Sequence, residues 1–133
     1  MVFFAYMSKD QAVPINYANL IFDTVAVCDD DIVNNDDGSL TFKKHGTYAL
    51  DIAVSAQTGP NETITMKAYL NSVVIAGAGG DGISGADIPT SCVVIKVKKN
   101  DVLTIQVQST FGNQAVINNI YGKQSTVRLL KLE

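Results

Sequence analysis

Apolar and polar residues alternate with a period of two along most of this chain. In 39–43, Leu40 and Phe42 alternate with Ser39, Thr41 and Lys43. In 46–56, Tyr48, Leu50, Ile52 and Val54 share one face, with Thr47, Ala49, Asp51, Ala53 and Ser55 opposite. Ile64, Met66, Ala68 and Leu70 fall together in 62–70, and Val93, Ile95 and Val97 in 90–98. Leu103, Ile105 and Val107 repeat the pattern in 101–109, and a last run occupies 126–132. A period of two puts successive side chains on opposite faces, so each run predicts a half-buried strand. Val, Ile, Thr and Tyr fill these runs, as a pleated surface favours. No twelve-residue window carries an apolar stripe of helical period.

Turn-forming clusters separate the runs: Asp36-Asp37-Gly38, Gly59-Pro60-Asn61, the glycines of 77–85, Lys99-Asn100-Asp101 and Gly112-Asn113. Many short strands with this punctuation predict an all-β antiparallel sandwich or barrel. The inward face is expected to hold Phe22, Leu40, Phe42, Tyr48, Leu50, Ile52, Ile64, Met66, Ile95, Ile105 and Leu129. No linker, repeat or low-complexity run divides the chain, and 133 residues suit a single domain over 1–133.

Composition narrows the function. Apolar residues make up 47% and charged residues 17%, enough apolar content to bury a core. The formal net charge is −3, and Arg128 is the only arginine, so nucleic acid is not an expected partner. The low charged fraction suggests surface hidden in an oligomer. The opening MVFFAYM is too short for a signal peptide or membrane span, so neither usual export nor membrane insertion is expected.

Several motifs have a chemical reading and a plainer one. Gly77-Ala78-Gly79-Gly80-Asp81-Gly82 spells a dinucleotide fingerprint, but residues 83–89 offer no helix to hold a pyrophosphate. A flexible loop between strands is the expectation. Asp29, Asp30, Asp31, Asn34, Asn35, Asp36 and Asp37 supply oxygens of the kind calcium takes, without EF-hand spacing. A solvated turn is the reading, with a calcium loop as the alternative. His45 is the only histidine, expected in an exposed turn, and no nucleophile elbow accompanies it. No catalytic residue, metal site or cofactor is therefore expected. Cys28 and Cys92 read as small buried thiols rather than a disulfide. Asn61-Glu62-Thr63 is a glycosylation sequon with meaning only in a secretory setting.

Phe3, Phe4 and Tyr6 make both faces of the first strand apolar. A strand apolar on both faces has both covered, so these three residues are the expected subunit interface.

With these features in place, the sequence resembles the jelly-roll heads shared by the first complement component and tumour necrosis factor. It is most similar to their bacterial and phage branch, including the terminal heads of collagen-like spore-surface glycoproteins. FFAYMSKDQAVP at 3–14 resembles the family's first strand, LIFDTV at 20–25 its second motif, and DGSLTFKKHGTYALDIAV at 37–54 its central strands. VIKVKKNDVLTIQV at 94–107 resembles its late hairpin, with Asn100 where the family has Gly, and STVRLLKL at 125–132 its last strand. The resemblance implies a homotrimeric jelly-roll sandwich of about ten antiparallel strands, without enzymatic activity. It implies a head for receptor or glycan recognition, or for decorating a phage particle or a bacterial cell or spore surface. Its partners would be a cell-surface glycan or protein receptor and a fibre or stalk protein. The alternative is a purely structural trimerisation component of a virion fibre, baseplate or capsid. A cupin-like metal enzyme is disfavoured, since it needs more than one histidine. Exposed loops at 29–38, 77–88 and 109–124 are the expected contact regions.

Overall fold

A computed structural model describes residues 2–57, 62–83, 91–111, 116–117 and 125–133, with backbone alone at 57, 79–83 and 116–117. The strands are β1 Phe3–Tyr6, β2 Gln11–Ala12, β3 Ala18–Asn19, β4 Thr24–Cys28, β5 Ile32–Asn34, β6 Leu40–Phe42 and β7 Gly46–Ala53. They continue as β8 Ala56–Gln57, β9 Thr63–Leu70, β10 Val73–Ile83, β11 Ser91–Val97, β12 Val102–Ser109, β13 Val116–Ile117 and β14 Thr126–Lys131. Among the described residues no helix is long and apolar enough to cross a membrane.

One sheet has the order β11-β7-β14-β1-β4. The other runs β10-β9-β12-β6-β5, with β3 also paired to β12. A small third sheet joins β2, β13 and β8. All pairings are antiparallel, and many neighbours are distant in sequence. The chain thus crosses between two packed sheets, the jelly-roll arrangement. Four strands have only two residues, and the remaining ten build the two large sheets. The long runs of alternation fall on β6, β7, β9, β11, β12 and β14, within one to three residues at each end.

The core lies between the large sheets. Phe3, Tyr48, Leu50, Ile52, Ile95, Val127 and Leu129 enter from the first sheet. Ile32, Leu40, Phe42, Ile64, Met66, Leu103, Ile105 and Val107 enter from the second. Every side chain expected on the inward face is buried. Each fully buried aliphatic contributes roughly 1.5–3 kcal/mol relative to exposure. Phe42 and Tyr48 meet across the core with ring centroids 5.1 Å apart. Burial, then the negative charges of Asp31 and Asp29, push the Tyr48 phenol above its usual range.

The glycine run is a correction to the expected loop. Residues 79–83 pair with Lys67–Thr63 of β9 and continue β10 as a strand. Between Val74 and Gly79 the register shifts, so residues 75–78 bulge away from β9. Gly77 takes a positive φ there, and its carbonyl accepts a hydrogen bond from Ser91 Oγ at 3.1 Å. Backbone pairing does not need side chains, and glycine permits the bulge. No helix follows within residues 79–83, so the phosphate-cradling geometry is absent from that described stretch.

Two turns are tied together. Asn71 and Ser72 both have positive φ, as a two-residue β9–β10 hairpin of right-handed twist requires. Asn100 also sits at φ 72°, a conformation asparagine tolerates better than most residues, which explains how it replaces glycine. The Asp101 carboxylate accepts the Lys98 amide at 2.7 Å and the Asn71 side-chain amide at 2.8 Å. Asn71 Oδ1 in turn accepts the Val102 amide at 2.9 Å. The Lys98 amide, then the Asn71 amide, hold the Asp101 pKa below the ordinary carboxylate value.

A depressed folded pKa means that the ionised form stabilises the fold above the unfolded pKa near 3.8, and that this is lost as pH falls through the lower folded value. Asp101→Asn should therefore lower Tm by roughly 2–5 °C at pH 7. The gap to the parent should narrow as pH falls below 3.8 and close once pH has passed through the lower folded value, read by melting across pH.

Gly38 gives a second test. Its φ is +89°, and a Cβ there would lie 2.4 Å from the Leu20 carbonyl oxygen. Gly38→Ala should cost about 2 kcal/mol or more, seen as a Tm drop of roughly 5–10 °C. An unchanged melting curve would contradict this packing.

Candidate functional site

The outward face of the five-stranded sheet is the most developed surface feature. On β1, Phe3 and Ala5 are buried while Phe4 and Tyr6 face outward, half-buried. Phe3 is 0% exposed within one chain, so its assignment to an interface is corrected: it belongs to the core. Phe4 and Tyr6 stay on the outer face, ring centroids 6.1 Å apart.

Register extends that face across the sheet. Val27, Phe4, Arg128, Asp51 and Cys92 form one row through β4, β1, β14, β7 and β11. Leu130, Ala49 and Val94 form the next, and Tyr6, Thr126 and Ala53 flank the other side. Val94 is 63% exposed, Leu130 49% and Val27 41%. The Arg128 guanidinium lies 5.1 Å from the Phe4 ring centroid, a cation–π contact. The face is apolar, with small residues on β7 and one arginine and one aspartate opposite each other at its centre. Aromatics and arginine enriched against few charges are what protein interfaces carry, and exposed apolar patches mark association.

The pattern missed by sequence reasoning is the second parity of β11 and β14. Val94 and Leu130 stand out of phase with the core residues, and that was a readable signal. The partnership of Arg128 with Phe4 depends on register and was not readable.

Both cysteines are free and exposed, which corrects the expectation of buried thiols. Cys92 falls on the outward parity of β11, and Cys28 ends β4 at the sheet edge. The Cys28 thiol donates to the Ile32 carbonyl at 3.2 Å. Burial, then Asp29, and after it Asp30, raise its pKa, against an opposing pull from Lys43. His45 is exposed just before β7, as expected. Asn61 of the sequon lies outside the described residues, as do 84–88 and most of 109–124 among the expected contact loops.

The acidic segment forms turns on either side of β5. The Asp37 carboxylate accepts the Ser39 amide at 2.9 Å and its hydroxyl at 2.6 Å. The Ser39 hydroxyl, then its amide, lower the Asp37 pKa. Asp29 Oδ1 accepts the Asp31 amide at 3.3 Å, and Asp31 lies 3.4 Å from Lys44. These carboxylates terminate turns. Among the described residues no three His, Cys, Asp or Glu side chains converge as a metal cage.

No family model matches the sequence, and no curated protein matches it. Solved structures do. The globular domain of zebrafish complement 1qA superposes with TM-score 0.74 at 12% identity, covering 98% of this chain and 96% of that one. Eiger TNF from S. frugiperda gives 0.66 at 13%, covering 99% and 92%. Murine APRIL gives 0.67 at 10%, covering 99% and 100%. The chain therefore has the all-β jelly-roll fold that these complement and tumour necrosis factor structures share.

Calcium offers a direct test of the acidic turns. A ligand bound only by the folded state, at a hundredfold excess over Kd, adds ~2.7 kcal/mol. Chelator and millimolar calcium should leave the melting curve nearly unchanged. A shift of roughly 5 °C or more, abolished by Asp29→Asn with Asp31→Asn, would reassign the segment as a metal loop.

Proposed function

We propose that this chain is one non-enzymatic jelly-roll head domain that works as a homotrimer. It recognises a receptor or glycan, or decorates a surface, on a phage particle or bacterial exterior. The observation that carries the reading is the apolar outer face around Phe4, Tyr6, Val94 and Leu130, which no other element covers among the described residues. Neighbouring copies arranged around a three-fold axis, each meeting the next by a heterologous contact, bury that surface, and the closed ring satisfies all copies equally. The sequence resemblance supplies the number three. The fold supports a recognition role by holding loops on a rigid scaffold, and three copies multiply weak single-site binding.

Light scattering at micromolar concentration should return three times the 14.2 kDa chain mass. Val94→Glu with Leu130→Glu should give a folded monomer, because association would bury unpaired charges. Cys92 should react with a thiol reagent more slowly in the parent than in that variant. A stable parent monomer would refute the assembly. A trimer that retains no member of a glycan array or cell-surface fraction would favour the purely structural role.

A further inference from the structure

The end of the sandwich where β7 begins and β11 and β14 finish carries a second surface. A concavity of about 770 Å³ opens there, lined by Lys43, Lys44, Lys96, Lys98, Lys99 and Lys131. Six of the chain's nine lysines therefore surround one basin on a molecule of net charge −3. Antiparallel register brings them together. Gly46 pairs with Val97 and Tyr48 with Lys131, so three distant segments converge.

The basin is under-neutralised. Asp31 lies 3.4 Å from Lys44 and 4.0 Å from Lys131. Glu133 is the one carboxylate in the lining. Among the described residues, Lys43, Lys96, Lys98 and Lys99 have no ion-pair partner. Like charges gathered around a concavity repel one another in the free protein and focus a positive field into it. That arrangement gains only when an anion enters.

We propose that this basin binds a polysaccharide carrying closely spaced anionic groups, either sulfate esters or carboxylates. Lysines act as mobile point charges and suit repeated anions better than a single bidentate one. The volume is that of a ligand cleft. No Phe, Tyr, Trp or Arg lines it and His45 is the single ring in the lining, so it lacks both a series of stacking platforms and forked base recognition, and nucleic acid fits poorly. The proposal deepens the recognition reading by naming a ligand class, yet every lining residue belongs to one chain.

The test measures binding at 0.15 M salt to dextran sulfate, polygalacturonate, neutral dextran and a single-stranded oligonucleotide of matched charge. Light scattering runs on the same samples. Dextran sulfate or polygalacturonate should bind, and which of the two binds identifies the anion. Neutral dextran should not bind, and the oligonucleotide should bind at least tenfold more weakly, on the order set by losing the stacking of one or more bases where His45 is the single ring. Lys43→Gln with Lys98→Gln should weaken binding by about tenfold or more and make the log–log salt slope shallower by about two. Lys9→Gln with Lys67→Gln, outside the basin, should change it by less than about twofold. Failure of both anionic polysaccharides overturns the site, as does an oligonucleotide that binds equally well or an equal effect of the outside pair. Binding by a chain that scatters as a monomer would leave the site standing and overturn only the trimer.

Discussion

The pairing of β14 between β1 and β7 is the constraint on which the rest of the molecule depends. Residues 126–129 hydrogen-bond along Tyr6–Phe3 on one side, and 126–131 along Ala53–Tyr48 on the other. Without β14, β1 and β4 would have no link to β7 and β11, and the five-stranded sheet would be two unpaired ribbons. Its inward residues, Val127 and Leu129, are buried against the opposite sheet. Its outward residues place Arg128 beside Phe4 and opposite Asp51, so the same strand closes the core and centres the outer face. Such a join spans most of the sequence. Its loop-closure entropy must be met before the contacts reward it, which makes folding of this topology intrinsically slow.

A sheet made this way has two faces with different obligations. The inward parity needs bulk, and it has Phe3, Tyr48, Leu50, Ile52 and Leu129. The outward parity of a sheet facing water ordinarily turns polar. Here β7 offers Ala49 and Ala53, β11 offers Val94, and β14 offers Leu130. Small residues in the middle with larger apolar ones around them make a shallow, flat surface that another sheet face can approach closely. The isolated Arg128–Asp51 register then limits which orientations of a second copy are acceptable, since misaligned charges would be desolvated without partners.

Much of this was legible in the residues. Period-two alternation placed β6, β7, β9, β11, β12 and β14 and identified their core side chains, because one face of each strand is buried and a one-residue slip would reverse it. Asp36-Asp37-Gly38 announced its turn through residues whose local chemistry terminates strands. The glycines of 77–82 misled, because residue type speaks for backbone freedom while strand membership there is fixed by pairing with β9. Phe3 misled for a related reason: an aromatic beside an aromatic does not say which of the two faces inward. The cysteines were judged by their average burial, whereas parity and an edge position decide their exposure here.

The lysine basin shows the other limit of sequence reading. Lys43-Lys44, Lys96, Lys98-Lys99 and Lys131 are scattered in three segments, and each alone is an ordinary solvated run. A formal charge of −3 argues against anionic partners only if charge is evenly spread. The fold does not spread it. Acidic residues gather at the turns around β5, while strand order delivers lysines from β11 and β14 to the two sides of β7. Net charge governs the far field and solubility, but a ligand in a concavity meets the local field, screened beyond about 8 Å at physiological salt. An overall acidic protein can therefore hold a polyanion at one end while its remaining surface repels the same polymer, which confines the ligand to the basin.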